Sequence, residues 1–137
     1  MQITFWGVRG SFPAPRADAL AYGGNTTCLE VEAGGARVIV DAGTGIYALG
    51  RQLAGEPAHH HILFTHVHWD HIQGLPFFAP LEDPDTRLTL YALPQHLLII
   101  EALFTDGFRQ IYLPVPAARR RAQVDFKPFQ TAIPWSL

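Results

Sequence analysis

The sequence predicts a mixed α/β domain in which a β-sheet carries flanking helices. Short apolar or alternating segments of strand length alternate along the chain with segments that have the apolar spacing of helices. An exception lies near the start, where Gly34-Gly35 joins two strands directly through a tight hairpin turn. A chain that begins with a hairpin and continues through helices favours a mixed sheet over a doubly wound parallel one.

Six strands are predicted in order. The second strand alternates, with Leu29 and Val31 on one face and Cys28 and Glu30 on the other, which is typical of a half-buried strand. The fourth is short and apolar and ends at Phe64; the histidine run 59–61, at and before its start, is expected as a flanking loop. The predicted strands are residues 2–6, 27–33, 37–40, 61–64, 87–91 and 124–126.

Two longer segments have helical spacing. Residues 44–53 and 94–104 each place apolar side chains on one stripe, and Thr44 is in position to cap the first helix. A short helix is predicted to begin near Asp70 and to be broken at Gly74.

Composition limits the classes of function. The 137 residues are 48% hydrophobic and 16% charged with a net charge of −2, so no broad basic surface for nucleic acid is expected. No apolar run approaches the ~20 residues of a membrane span, and the N-terminus lacks a signal-peptide pattern. The single cysteine, Cys28, excludes an internal disulfide, is consistent with a cytoplasmic location, and is expected to be a packing residue.

The most informative segment follows Phe64. It places four potential metal ligands in the pattern H-x-H-x-D-H and reads Thr65-His66-Val67-His68-Trp69-Asp70-His71. His66 and His68 are two residues apart, so in an extended segment they can point to the same side and share one ion. Asp70 and His71 are adjacent and are expected to diverge, which suits a second ion better. Such a cluster favours Zn²⁺ or a similar divalent ion over a chance group of surface histidines.

This motif resembles the metal-binding signature of the metallo-β-lactamase superfamily. Four segments occur in the order expected of that family: Gly7-Val8-Arg9-Gly10-Ser11, Tyr22-Gly23-Gly24-Asn25-Thr26-Thr27-Cys28, Val40-Asp41-Ala42-Gly43-Thr44-Gly45 and Asp70-His71-Ile72-Gln73-Gly74-Leu75-Pro76-Phe77-Phe78. The resemblance covers residues 1 to about 115 and is poor after Arg121. Within this superfamily, the sequence resembles the branch that includes phosphodiesterases acting on cyclic nucleotides and related phosphoesters.

The resemblance implies an αββα sandwich, of which this chain would form the N-terminal half, and a site for two Zn ions, with Mn or Fe as alternatives. His66 and His68 would bind the first ion, Asp70 and His71 the second, and Asp70 would also steer the nucleophile. Asp41 would lie behind the ions and orient a ligand histidine. The alternative for Asp41 is a turn residue that binds local backbone amides.

Two further residues are candidate substrate contacts. Asn25 could offer donors to an anionic substrate, although the glycines beside it would also suit a simple turn. Arg9 could contact phosphate, because a guanidinium matches phosphate oxygens, or it could be a solvated loop residue. Phe77 and Phe78 are expected in the core rather than at a substrate entrance.

Part of the family's ligand set has no counterpart here. The family takes a third histidine, a bridging aspartate and a last histidine from the second half of its fold, whereas His96 is the only histidine after His71. That fold needs about 200 residues or more, so residues 1–137 are expected to form a single incomplete domain with a divergent tail over 122–137. A truncation, a proteolytic fragment and a half-fold that assembles with another chain are the three explanations left open.

The sequence therefore predicts a cytoplasmic, metal-dependent hydrolase that would cleave a small-molecule phosphodiester, such as a cyclic nucleotide, by metal-bound hydroxide. The missing ligands would come from a second copy in a homo-oligomer or from an absent C-terminal half. Neither a nucleic-acid partner nor a membrane partner is expected. The alternative is a non-catalytic half-fold that acts as an oligomerising or interaction module, because large exposed apolar faces rarely persist on monomers.

Overall fold

The strands form a mixed sheet, as the hairpin and the later alternation predict. The structure is a computed structural model and describes residues 1–104 and 121–129. Within that part of the chain, six strands lie side by side in chain order. They are β1 (Gln2–Gly7), β2 (Cys28–Ala33), β3 (Ala36–Val40), β4 (His59–Leu63), β5 (Arg87–Ala92) and β6 (Gln123–Pro128). The first three pair antiparallel, and β3 to β6 pair parallel.

Helices connect the parallel strands. Helix α1 (Ile46–Leu53) follows β3, α2 (Trp69–Ile72) follows β4, and α3 (Pro94–Ala102) follows β5. Short 3-10 turns lie at Ala17–Ala19, Leu75–Phe77 and Ala79–Glu82. No helix among the described residues is both long enough and apolar enough to cross a bilayer.

Thr44 does not cap α1 as the sequence predicts. The residue before the helix is Gly45, and no side chain caps its first turn. Instead the Thr44 hydroxyl accepts a hydrogen bond from the N–H of Thr26 at 2.9 Å. Thr44 thereby ties the loop that precedes β2 to the start of α1, and this tie lies beside the candidate site.

One face of the sheet carries the core. Side chains from the strands pack there against α1, α2 and α3, and the fully buried members include Cys28, Ile39, Ile46, Leu49, Ile62, Leu88, Leu90 and Ile100. Each such side chain contributes about 1.5–3 kcal/mol relative to an exposed one. Cys28 is a packing residue, as predicted, and burial raises the pKa of its thiol far above the usual value.

The two faces of β2 are not covered as the alternation suggests. Cys28 and Glu30 are buried, whereas Leu29 and Val31 are only half-buried. Glu30 can lie on the core side because its carboxylate accepts from Trp6 Nε1 at 3.0 Å and pairs with Arg37 Nε at 2.8 Å. A buried carboxylate is tolerated when its oxygens have such partners.

The opposite face of the sheet is apolar over β1, β2 and β3 and open at its β1 side, and it becomes polar at His61 of β4 and Thr89 of β5. Ile3 and Phe5 are 48% and 64% exposed. Cross-strand register places them in one layer with the half-buried apolar residues of β2, β3 and β4. We call this layer the open sheet face; it comprises Ile3, Phe5, Leu29, Val31, Val38, Val40 and Leu63.

The histidine run belongs to β4, contrary to the expected loop. Strand β4 begins at His59 because its backbone pairs with β5 from that residue onward. His59 Nε2 lies 2.7 Å from Thr89 Oγ1, and His61 Nδ1 lies 3.1 Å from Tyr91 OH. His60 points to the other face and is only 4% exposed.

Candidate active site

Strands β3 and β4 end side by side and deliver the polar residues of the site to one edge of the sheet. Asp41 follows β3 directly, and its N–H donates to the Leu63 carbonyl at 2.9 Å. The segment 65–71 follows β4. The carboxyl ends of parallel strands are where α/β folds place their functional groups. The candidate ligands therefore follow directly from strands that are paired within the sheet.

Asp41 is the buried centre of the arrangement. Its side chain is 2% exposed, and its backbone adopts φ 60°, a left-handed conformation that costs roughly 1–3 kcal/mol for a residue other than glycine. Oδ1 accepts from the N–H of Thr65 at 2.8 Å. Oδ2 accepts from Thr65 Oγ1 at 2.8 Å and lies 2.8 Å from His71 Nδ1. These donors are 24 and 30 residues away in sequence, so the partners of Asp41 are not the local amides of a turn.

The hydrogen bonds of Asp41 fix the tautomers of two histidines. A carboxylate only accepts, so His71 must carry its proton on Nδ1 and keep the lone pair on Nε2. The Thr65 hydroxyl donates its hydrogen bond to Asp41, so it can only accept one from His66 Nδ1, which lies 3.0 Å away. His66 therefore also keeps its lone pair on Nε2. Neutral imidazole with a free ring nitrogen is the form that binds a metal ion.

The four predicted ligands lie together. The ring centroids of His66 and His71 are 4.0 Å apart, and those of His66 and His68 are 4.5 Å apart. His71 Nε2 lies 3.5 Å from Asp70 Oδ2, so these adjacent side chains converge rather than diverge as the sequence suggests. Burial, followed by repulsion from the rings of His71 and His68, lowers the pKa of His66 and favours its neutral form.

Asp70 is held by the loop between β1 and β2. Its Oδ2 accepts from the backbone N–H of Ser11 at 2.6 Å, and the residue is 7% exposed. Burial by itself raises the pKa of Asp70, but the N–H groups of Ser11 and of Asp70 itself, with the nearby imidazoles, lower it overall. The sequence could not predict this role of Ser11, because the hydrogen bond comes from its backbone N–H, which every residue except proline has.

These residues fit a divalent cation in donor chemistry but do not complete a site. Three imidazoles and one carboxylate match borderline divalent ions, and two of the imidazoles have the required tautomer. Within residues 1–104 and 121–129, however, no three histidine, cysteine or acidic side chains are already arranged to hold a cation together. Further ligands or a local adjustment of these four side chains would be needed.

Two glycines set the distance between the Asp41 segment and α2. The N–H of Gly74 donates to the Ala42 carbonyl at 2.9 Å, and the N–H of Ala42 donates to the His71 carbonyl at 2.7 Å. A Cβ on Gly74 would overlap the Gly43 carbonyl, and a Cβ on Gly43 would overlap the Asp70 carbonyl. Only glycine permits this close approach. The position of His71 over Asp41 therefore depends on both glycines.

Arg9 and Asn25 lie on the connection between β1 and β2, which also carries Ser11. The N–H of Arg9 donates to the Asn25 carbonyl at 3.0 Å, and Arg9 forms an isolated bridge with Thr26. Arg9 is half-buried rather than solvated, and its Nε is buried with no hydrogen-bond partner in the described part of the chain. Asn25 is exposed, and its Oδ1 accepts from Thr44 Oγ1 at 3.2 Å.

Asn25 also borders a pocket that the sequence does not reveal. The pocket has a volume of about 310 Å³ and is lined by Asn25, Thr44, Tyr47, Gln73, Gly74 and Phe77. We call it the aromatic pocket. Phe78 lies in the core as expected, but Phe77 does not: it is 40% exposed and forms part of this pocket. A burial prediction from residue type cannot distinguish two neighbouring phenylalanines that a 3-10 turn points in different directions.

Comparison with known proteins identifies the family. The sequence profile described as the Beta-lactamase superfamily domain matches residues 36–132. This chain belongs to the β-lactamase superfamily. The superfamily member is 37% identical over 118 residues to a ribonuclease Z of Bradyrhizobium diazoefficiens, in a match that covers 83% of this chain and 37% of that protein.

Solved structures share the fold of this superfamily member. It matches a diphosphatase from the PhnP family with a TM-score of 0.61 at 21% identity, over 93% of this chain and 50% of that one. It matches the metallo-β-lactamase fold protein YhfI from Bacillus subtilis with a TM-score of 0.61 at 19% identity, over 98% and 47%. The human tRNase Z short form gives a TM-score of 0.55 at 17% identity, over 96% and 47%. The predicted metallo-β-lactamase-like fold is confirmed, and the chain spans about half the length of these structures.

Proposed function

We propose that this chain carries the ligand-bearing part of a metal-dependent hydrolase that cleaves phosphodiesters. The observation that carries the proposal is the pair of hydrogen bonds by which Asp41 and Thr65 leave Nε2 of His71 and of His66 unprotonated within one cluster. A histidine cluster with no function would have no need of matching tautomers. The names of the similar proteins, a ribonuclease, a tRNase and a diphosphatase, support a phosphate-containing substrate.

The cation would be held by His66, His68, Asp70 and His71, and Zn²⁺ suits this donor set best, with Mn or Fe as alternatives. A divalent cation would polarise the phosphate and make hydroxide available near neutral pH. The chain's own residues prepare the site. Asp41 keeps the proton of His71 on Nδ1, and the Ser11 N–H fixes the Asp70 carboxylate, which would also steer the nucleophile.

The loop that carries Arg9 would bind the phosphate group of the substrate. The Arg9 Nε is buried without a partner in the described residues and is not open to a ligand, so the terminal nitrogens of this half-buried guanidinium would have to make the contact. A phosphate oxygen is the partner that a guanidinium matches best. Asn25, joined to Arg9 through its backbone carbonyl, adds an amide beside this position. A small phosphoester, such as a cyclic nucleotide, would suit this arrangement.

The test combines metal analysis with turnover of bis-p-nitrophenyl phosphate by the purified chain. We expect at least one equivalent of bound Zn²⁺ after loading and hydrolysis that a chelator abolishes. Matched variants are His71→Gln, which removes a ligand, and His59→Gln, which removes an exposed histidine at the far end of β4. The proposal fails if metal content stays below one per chain and no hydrolysis is detected.

A second candidate function, assembly, is favoured by the open sheet face. Ile3 and Phe5 are large apolar residues that are 48% and 64% exposed, in register with further apolar residues of the same layer. Contiguous apolar surface of this kind usually marks an interface. We propose that a second copy of this chain, which presents the same apolar residues, covers the face. Two sheets packed face to face would lie about 10 Å apart.

Sedimentation equilibrium tests this assembly. The wild-type chain and Leu98→Lys, which changes a residue 73% exposed on α3, should both be dimers at micromolar concentration. Phe5→Lys should be a monomer, because a lysine charge would be desolvated between the two sheets. A monomeric wild-type chain would contradict the proposal, as would a Phe5→Lys chain that remains dimeric.

A further inference from the structure

Two histidines lie where the open sheet face changes from apolar to polar. His61 is the cross-strand neighbour of Val38, a member of that face, and on its other side it neighbours Thr89. His59, two residues earlier on β4, points to the same side of the sheet. We call His59 and His61 the histidine pair. A chain that packs against the open sheet face would therefore reach the histidine pair as well.

One ring nitrogen of each histidine is bonded to a hydroxyl group of β5. His59 Nε2 lies 2.7 Å from Thr89 Oγ1, and His61 Nδ1 lies 3.1 Å from Tyr91 OH. Thr89 and Tyr91 are buried. A hydroxyl group can either donate or accept, so it satisfies a neutral imidazole in either tautomer. The neutral form of both rings therefore suits this position.

The titratable groups that share this face with the histidine pair come from β5 and β6. Among the described residues they are Arg87, Tyr91, Asp125 and Lys127, whereas β3 places only uncharged side chains here. The Asp125 carboxylate is bonded to Arg87 Nε at 2.7 Å and to Arg87 Nη2 at 2.6 Å. The acidic group of this set is thus already paired with a cation and is not dedicated to a histidine.

A positive charge on the histidine pair is consequently disfavoured. The two ring centroids lie 4.1 Å apart, so two imidazolium ions would repel each other. Burial, and then Arg87, lower the pKa of His59, although Asp125 acts against this. Burial, and then His59, lower the pKa of His61. In the single chain His59 is exposed and His61 is half-buried, so water can still solvate a proton that either ring takes up in acid.

A second sheet packed about 10 Å away would remove that water. An imidazolium ion between the two sheets would be desolvated without a carboxylate of its own, which is costly, whereas a neutral ring would keep its bond to β5. We infer that protonation of the histidine pair separates two copies of this chain, so that pH controls assembly through the open sheet face. This inference rests on the assembly proposed above. The single chain then binds more protons than the dimer, and acid favours the single chain.

Sedimentation equilibrium of the full chain at pH 7.5 and pH 5 tests the inference. We expect the dissociation constant of the wild-type dimer to rise roughly tenfold or more at pH 5. His59→Gln combined with His61→Gln replaces both titrating rings by neutral amides, so its dissociation constant should change by less than about threefold. The matched control is His96→Gln on α3, which packs on the core side of the sheet and should respond to pH like the wild type.

Two precautions keep the measurement decisive. Near-UV circular dichroism is recorded at each pH, and the comparison uses the lowest pH at which every chain keeps its spectrum at pH 7.5. If the double variant does not form a dimer at pH 7.5, His59→Gln and His61→Gln are measured singly. Each should then show a smaller response to pH than the wild type.

The outcomes separate this inference from the proposed assembly. A wild-type dimer with the same dissociation constant at both pH values would overturn the control by pH and leave the assembly intact. Variants of the histidine pair that dissociate in acid as much as the wild type would do the same. A wild-type chain that is monomeric at pH 7.5 would overturn both proposals. Dissociation in acid that depends on the two histidines would support both.

Discussion

His60 should make the stability of this protein depend on pH below neutrality. Its ring lies 4% exposed on the core side of β4, edge-on to Phe78 with ring centroids 5.6 Å apart. Its Nε2 is buried and has no hydrogen-bond partner among the described residues. Burial, and then the charges of Arg37, His59 and His61, lower the pKa of His60 from 6.5 to about 4. The folded protein therefore keeps this ring neutral well below pH 6.5.

The size and sign of the effect follow from this difference. Between pH 6.5 and about 4 the unfolded chain protonates His60 and the folded chain does not. The unfolded state then binds more protons, so the free energy of unfolding falls as the pH is lowered through this window. At about 1.4 kcal/mol for each pKa unit, the loss from pH 7 to pH 4 amounts to roughly 3 kcal/mol. Lowered pKa values at His59 and His61 act in the same direction.

The assay is urea unfolding followed by circular dichroism at several pH values between 7 and 4. His60→Leu should lose most of the dependence on pH and should be at least as stable as the wild type at pH 7, because it no longer buries an unpaired ring nitrogen. His59→Gln, a change at an exposed neighbour on the same strand, should keep most of it. An acid dependence in His60→Leu as steep as that of the wild type would refute the reasoning.

Two further predictions concern the candidate site. Gly74→Ala should lower the free energy of unfolding by about 1–3 kcal/mol in urea, because its Cβ would overlap the Gly43 carbonyl. The control Gly10→Ala places its Cβ in open space and should cost far less. Equal costs for the two variants would show that the close approach at Gly74 is unimportant. Asp41→Asn should weaken Zn²⁺ affinity about 10–100-fold, measured by competition with a chelator. The reason is that an amide cannot accept every hydrogen bond that the carboxylate accepts from Thr65 and His71. An unchanged affinity would show that Asp41 does not orient the ligand histidine.

The hairpin and the ligand-bearing loop could be predicted because they depend on short-range patterns. Gly34-Gly35 supplies the positive φ angles that a tight turn needs, at 59° and 82°, so the hairpin is encoded within a few residues. The apolar run before Thr65 lies largely in β4, and the motif that follows therefore emerges at the end of that strand. The metallo-β-lactamase-like fold was predicted on other grounds, from the resemblance of four sequence segments to that family. The ligand roles of the motif, the incomplete single domain and the divergent tail 122–137 stay predictions.

Burial and partnership were decided only by the tertiary structure. Alternation along β2 shows that the strand has two faces, but the core side holds Glu30 because Trp6 and Arg37, from other strands, satisfy its charge. Asp70 converges on His71 while its carboxylate is bound by the N–H of Ser11, 59 residues earlier in the chain. A periodic pattern specifies the direction of a side chain relative to its own strand or helix. What lies in that direction is contributed by distant segments, so hydrogen bonds, exposure and protonation emerge only when those segments are packed together.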